Sequence, residues 1–199
     1  MRPSSRCNIA STQDVAAVRL VDGKRQLALL RWGLIPSWAK DTKIASSTIN
    51  ARADTVAVKP AVRAAYKRRR CLVLTDGYYD EWLRVGKSKQ PFLYELDGGK
   101  PFALAGLWES WRGTGDKESP PMETCSLLTT DANELARQVH DRMPVILDAA
   151  DYDAWLNPES SDLLASFVAE RMTAKPVSTY VNNARNEGAD CVASPQDSS

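Results

Sequence analysis

Histidine is almost missing from this chain: its 199 residues contain one, His140. The four cysteines, Cys7, Cys71, Cys125 and Cys191, are scattered and show no close pairing. Together these leave no zinc-ligand spacing of the usual kind, and no metal or other cofactor is expected. The scatter also speaks against a disulfide framework and for a reduced, cytoplasmic protein. No apolar run approaches the ~20 residues of a membrane-spanning helix, so no membrane partner is expected. The polar opening MRPSSRCNIAST lacks the apolar stretch of a signal peptide. An excess of one charge is missing as well. With 26 basic and 25 acidic side chains, a polyanion would have to be held by a local patch. What is present suits one globular domain: 43% hydrophobic residues, and six tryptophans that raise the expectation of an aromatic-lined groove.

Periodicity is weak over the first twenty residues. RQLALLRWGLIPSW then reads as a strand over Gln26–Trp32, stopped by Gly33 and Pro36. STINARADTVAVKPAVRAAYKRRRC begins extended and turns helical after Pro60, which suits a first helical position. Its basic face runs into Lys67, Arg68, Arg69 and Arg70. A meander of antiparallel strands follows. CLVLTDGYY leads into EWLRV, with a turn at Gly86 and Lys87, then PFLYEL, a hairpin signal DGG at 97–99, and FALAGLWESW. GTGDKESPP at 113–121 is surface loop, and ETCSLLT a further strand. In TTDANELARQVHDRMPVILD, Asp131 and Glu134 have the spacing of a reciprocal cap for a helix that ends before Pro144. VIL at 145–147 is a short strand and Asp148 a cap for AADYDAWL. SSDLLASFVAERM has the pattern of an amphipathic helix, and KPVSTYVNN that of a last strand. The stretch from Glu187 is polar and reads as a flexible tail. Strands in the middle and helices later make the fold class α+β.

Several residues carry chemistry in one reading and ordinary structure in another. His140 is either a helix-end histidine settled by the helix dipole or a proton shuttle, since histidine titrates near neutrality. Asn50 and Arg52 in INARADT share a face if the segment is extended. They form either a turn amide and a surface ion pair with Asp54, or a carbonyl-positioning amide beside a phosphate fork. In DGYYDEW, alternation allows only one of Asp80 and Glu81 on a given face. The carboxylate turned inward beside Trp82 would have its pKa raised and suit acid–base work. Trp32 and Trp38 flank a tight turn and serve as a core plug or as a stacking platform for bases. KRRR at 67–70 is a solvated face or a partner for backbone phosphates.

Taken in order, RCNIASTQ, RWGLIPSWAKD, INARADT, RRRCLVLTDGYYDEW and TTDANELARQVHDRMPVIL resemble the successive signatures of the SOS response-associated peptidase (SRAP) family, abasic-site processing proteins. The resemblance runs from about Arg6 to Tyr180. It implies a single SRAP-like domain over residues 1–186, with a mainly antiparallel, open barrel-like sheet and flanking helices. It also implies a basic groove for single-stranded DNA carrying an abasic site. In complete members an N-terminal cysteine, exposed by autoproteolytic removal of methionine, closes a thiazolidine on the ring-opened sugar. By matching positions, the resemblance gives Asn50, Glu81 and His140 catalytic roles, with Asp80 the rival of Glu81. It puts Arg52 and Arg142 on the DNA, Arg6 and Asn8 near the active end, and Trp32, Trp38 and Arg70 along the groove.

Two departures from the family pattern matter. The family opens MCGRF, followed by a first strand and helix, whereas this chain reads MRPSSRCNIAST. Cys7 matches a family tyrosine and has no free α-amine. The expectation is therefore either a sequence truncated by a misplaced start codon or a shortened, crosslink-incompetent relative that binds single-stranded or abasic DNA without a covalent bond. A remnant with no DNA role is the other alternative. Apolar surface bared by the shortening would favour a homodimer. The second departure is the extra residue in DGYYDEW. It calls for a bulge if Glu81 is to keep its place beside Trp82.

Overall fold

The computed structural model describes residues 6–85, 88–113, 120–158 and 163–195; for residues 81–85 and 88 it describes backbone only. The turn at Gly86 and Lys87, most of the 113–121 loop and the Glu81 side chain lie outside the described residues.

The described residues form eleven strands and two short helices. Strand β1 (Asp14–Val21) turns into β2 (Lys24–Trp32) through Asp22 and Gly23, both at positive φ, as a tight hairpin turn requires. After β3 (Asn50–Arg52) come α1 (Arg63–Arg68), β4 (Arg70–Thr75), β5 (Tyr78–Val85) and β6 (Ser88–Leu96). Then follow β7 (Phe102–Trp111), β8 (Met122–Asp131), β9 (Arg142–Pro144), β10 (Ile146–Leu147), α2 (Tyr152–Leu156) and β11 (Met172–Pro176).

The main sheet runs β7–β4–β1–β2–β8, and β7 also pairs with β8, so these strands curl into a ring. Alternation decides what fills it. Val15 and Ala17 of β1, Leu30 of β2, Cys71 and Val73 of β4, Leu104 of β7 and Cys125 and Leu127 of β8 meet in one buried cluster inside. The intervening Leu72, Ala103, Ala105, Leu107 and Leu128 face outward, where α1 and α2 cover them with Ala65, Trp155 and Leu156. Trp155 is locked there by its indole N–H, which donates to the Cys71 carbonyl at 2.9 Å. Gly106 stands at an inward position of β7, where a Cβ would come within 2.8 Å of Cys71 Sγ and 2.9 Å of Val73 Cγ2.

The two ends of the ring differ. At one end Arg19, with its side chain 9% exposed, lies over the Trp108 ring and donates to both oxygens of Glu123 and to Gln26. This buried, ion-paired cation plugs that end. At the other end Val15, Trp32, Val73 and Leu127 border a cavity. A second sheet, β11–β6–β5, stands beside this opening. Tyr94, Leu96 and Met172 from it join the ring's core. On its other face Leu93 meets Val177, Val181 and Cys191.

Several sequence expectations meet a different structure. DGG at 97–99 is a turn with positive φ at all three residues, but β6 and β7 belong to different sheets and form no hairpin. The helix expected from Asp131 is a single 3-10 turn, Ala136–Gln138. Its span is pinned at both ends, because Asp131 pairs with Arg142 and the Ala132 N–H donates to the Asp141 carbonyl. Asn133 Oδ1, not Asp131, accepts the Ala136 N–H. Within SSDLLASFVAERM the described residues 163–168 are irregular. There Ser166 Oγ donates to the Asp131 carbonyl and Asn133 Nδ2 to the Phe167 carbonyl. Asp148 makes no side-chain cap and instead accepts from Arg171. From Glu187, where the sequence suggests a tail, the chain makes specific contacts as far as buried Cys191, described below. Among the described residues no helix is long and apolar enough to cross a membrane.

Candidate functional site

The site begins with a three-strand ladder. Asn50 pairs with Leu127 and Arg52 with Thr129 across β3 and β8; Thr129 pairs with Pro144 and Asp131 with Arg142 across β8 and β9. Partners across a sheet share a face, and so do residues two apart on a strand. Asn50, Arg52, Thr129, Asp131 and Arg142 therefore share one face, while Ala51 and Leu128 between them are buried in the outer core. This alternation, hydrophilic on one side and apolar on the other, brings together arginines that are ninety positions apart in the chain.

Asn50 and Leu127 open onto a cavity of about 510 Å³. Its wall is completed by the Arg6–Ser11 segment, the Thr75–Tyr79 turn and residues near Val181 and Val192. Trp32 forms part of the wall, with its ring fixed by a 2.8 Å hydrogen bond from Nε1 to the Ile49 carbonyl. Asn50 is exposed at the cavity and makes no side-chain hydrogen bond among the described residues.

Both arginines on the ladder already hold a carboxylate. Arg52 grips Asp54 through Nη2 at 2.7 Å and Nε at 3.2 Å. The Asp54 carboxyl is held below its ordinary value, first by that hydrogen bond, with a further contribution from Arg142. Arg142 donates to Asp131 Oδ1 at 2.9 Å and to the Thr129 carbonyl at 2.6 Å, and its side chain is only 14% exposed. His140 is half exposed, with Nδ1 3.0 Å from the Arg142 N–H, which donates to it. In the neutral ring the proton consequently sits on Nε2. Asp141 Oδ1, 3.2 Å from Nδ1, is placed to pair with the charged ring. His140 does not line the cavity; it adjoins the arginine pair.

The remaining predicted residues fall in several places. Asp80 is half buried beside the stacked rings of Tyr78 and Tyr94, whose centroids are 4.9 Å apart. Burial, followed by the charge of Asp80, pushes the Tyr94 phenol up to about 12. Position 81 pairs with Pro91, a cavity-wall residue, and the ladder is irregular between Glu81 and Arg84. Arg6 lines the cavity, paired with Glu187 and donating to Gln13 Oε1. Asn8 is buried, and its Nδ2 donates to the carbonyls of Val181, Asn183 and Asn186. Trp38 is 61% exposed and stands apart from the cavity wall. Arg70 is not brought to the site. It is buried between the rings of Tyr66 and Trp155 on the outer side of the ring of strands, donating to the Tyr66 carbonyl.

Sequence reasoning did not single out Tyr78 and Tyr79 as cavity residues. Tyr79 donates its hydroxyl to the Cys7 carbonyl at 2.8 Å, tying the N-terminal segment to the wall. The paired aromatics on an alternating strand were the available signal, one for each face. Among the described residues no group of three histidine, cysteine or acidic side chains is placed to hold a metal ion.

An α+β domain whose strand ring opens onto a polar-rimmed cavity is the class these features define. The profile of the SOS response associated peptidase (SRAP) family matches residues 1–184, and the chain belongs to that family. Abasic site processing protein YoqW of Bacillus subtilis (strain 168) is 40% identical over 194 residues, covering 94% of this chain and 85% of the relative. Abasic site processing protein HMCES of Xenopus tropicalis is 34% identical over 196 residues, covering 85% of this chain and 58% of the relative. A crystal structure of a Bacteroides thetaiotaomicron protein superposes with a TM-score of 0.81 at 29% identity, covering 92% of this chain and 82% of that one.

Proposed function

We propose that this protein binds single-stranded DNA at abasic sites, with the sugar at the Asn50 cavity and flanking phosphates on Arg52 and Arg142. One observation carries the reading: these three side chains share a single sheet face, and Asn50 on that face lines the cavity. An abasic nucleotide has no base to stack, so recognition falls to its sugar oxygens and phosphates. The Asn50 amide offers both a donor and an acceptor for the hydroxyl or the ring-opened aldehyde. Arg52 and Arg142 present planar forks suited to phosphate. Exposed ion pairs such as Arg52–Asp54 hold little free energy, so exchanging the carboxylate for a phosphate is not opposed. His140, adjoining Arg142, is the proton-relay group of this reading, and Glu81 the carboxylate that handles protons at the sugar. Trp38, exposed beside the turn at Pro36, supplies a stacking face for a neighbouring base.

By the residues named above, binding in this reading is non-covalent. Cys7, the thiol on the cavity wall, is internal and has no α-amine beside it. Its addition to an aldehyde would give only a reversible hemithioacetal. The names of the relatives support abasic-site processing as the wider role. The test compares plain and abasic single-stranded oligonucleotides by equilibrium binding and on a heated denaturing gel. Tighter abasic binding, abolished by Asn50→Ala, with no heat-stable band is expected. Equal affinities would refute the site, and a heat-stable band would refute non-covalent capture.

A further inference from the structure

We infer that Lys59, Arg63, Lys67 and Arg68 form a second surface for the phosphodiester backbone of nucleic acid, on the outer side of the ring and separate from the cavity. The inference rests on the reading above only in choosing nucleic acid as the polyanion. Residues 57–70 carry six basic side chains and no acidic one, in a chain whose net charge is +1. Two of the six have structural partners. Arg69 donates to Glu109 at 2.5 Å, and Arg70 lies between Tyr66 and Trp155. The other four are exposed, and none makes an ion pair among the described residues. Arg63, Lys67 and Arg68 border one shallow depression with Ala57, Val58 and Ala64.

Local helix energetics do not account for this cluster. Lys67 and Arg68 fall in the last turn of α1, where a cation is favoured by the helix dipole. Arg63 is the first residue of the helix, where a cation is disfavoured, and that turn has no acidic residue to offset it. Arg63 and Lys67 are also spaced four apart on α1, and like charges at that spacing repel on a helix. An external polyanion relieves all of these. One helical turn separates Arg63 from Lys67, about 6 Å along the axis, so the row follows an extended charged strand. Val58, 68% exposed, offers an apolar contact for sugars between phosphates. No exposed aromatic or leucine accompanies the cations, as insertion into a lipid surface would require.

The surface is distinct from the cavity because α1 covers the outward face of β4 with Ala65 against Leu72, whereas Val73 on the inward face lines the cavity. Nucleic acid long enough to leave the cavity would reach it, and a short oligonucleotide would not.

The test replaces all four with glutamine (Lys59→Gln, Arg63→Gln, Lys67→Gln, Arg68→Gln) in the full chain. Binding of plain and abasic oligonucleotides is titrated against salt. One oligonucleotide set is longer and one shorter than the ~4–16 nucleotides that a single groove occupies. On long strands the variant should bind more weakly to both DNAs by the same factor. The slope of log affinity against log salt should fall by about 0.7 per contact on single strands and about 0.9 on duplex. Short strands should bind as before, and an unchanged melting temperature checks the fold. An unaltered salt slope on long strands would overturn the inference, as would loss confined to abasic DNA or to anionic lipid vesicles. If the wild type shows no abasic preference while the variant loses its slope, this surface stands and the cavity reading fails.

Discussion

Asn8→Ala separates two roles for the residue that follows Cys7. Family matching puts Asn8 near the active end, where DNA is expected to bind. In the structure it is a buried clamp, 6% exposed, its Nδ2 3.0 Å from the Val181 carbonyl, 3.1 Å from that of Asn183 and 3.2 Å from that of Asn186. Two amide hydrogens serve these three acceptors. Each such bond contributes about 1 kcal/mol net, and leaving buried carbonyls unpaired adds to the loss, so alanine should cost about 2–3 kcal/mol. In a domain of this size each kcal/mol lowers the melting temperature by roughly 2–4 °C, giving a drop of about 5–10 °C. Asn8→Asp should be worse than alanine despite its matching shape, because it turns a carboxylate towards three carbonyl oxygens. Thermal and urea denaturation measure the loss, and hydrogen exchange should localise it to residues 179–192, which form part of the cavity wall. The clamp reasoning fails if Asn8→Ala stays within about 0.5 kcal/mol of wild type, the range of an ordinary surface change. It also fails if aspartate is tolerated.

Other substitutions probe neighbouring parts of the account. Arg70→Ala should lower stability by about 1–3 kcal/mol, through lost stacking on Tyr66 and Trp155 and the unpaired Tyr66 carbonyl, while leaving DNA affinity unchanged; denaturation and binding measured side by side decide. Gly106→Ala should cost about 1–3 kcal/mol by overpacking the ring against Cys71 and Val73, read as a shifted urea midpoint at constant slope. The Glu187 carboxyl is held below its ordinary 4.5, first by Arg6 and also by the N–H groups of Cys7 and Asn8. A depressed folded-state pKa gives stability that is present above 4.5 and lost as pH falls through the folded value. The Cys7 and Asn8 amides should therefore lose exchange protection only at a pH below 4.5, and loss of protection above it would contradict the clamp.

Most strands of the ring were legible in the sequence because they alternate, whereas β1 (Asp14–Val21), in the weakly periodic opening stretch, was not. FALAGLWESW and ETCSLLT carry small or polar residues where they must, and β2 ends at Trp32 before Gly33 as its composition indicates. The helical signals after β8 misled because capping and apolar spacing are local. The Asp131–Arg142 pairing that closes that loop is a long-range constraint, and Asn133 spends its side chain bridging to Ala136 and Phe167. The DGG turn was correctly placed, but which sheets its flanking strands join is a tertiary matter. At the site, Asn50 and Arg52 could be read as face-sharing from their spacing alone. That Arg142 joins them depends on the register of β8 with β3 and β9, which spacing does not contain. Arg70 sits in a basic run that reads as one solvated strip. Only packing reveals that two of its members are used inside while Lys67 and Arg68 stay on the surface.

The central claim is that DNA meets the protein on the β3–β8–β9 face at the mouth of the cavity. Hydrogen-exchange mass spectrometry with and without an abasic single-stranded oligonucleotide tests it directly. The account predicts slowed exchange in the segments spanning residues 49–55, 127–131 and 139–144 and the 6–11 wall, stronger for abasic than for plain DNA. Protection that bypasses these segments, or is identical for the two DNAs, would contradict it.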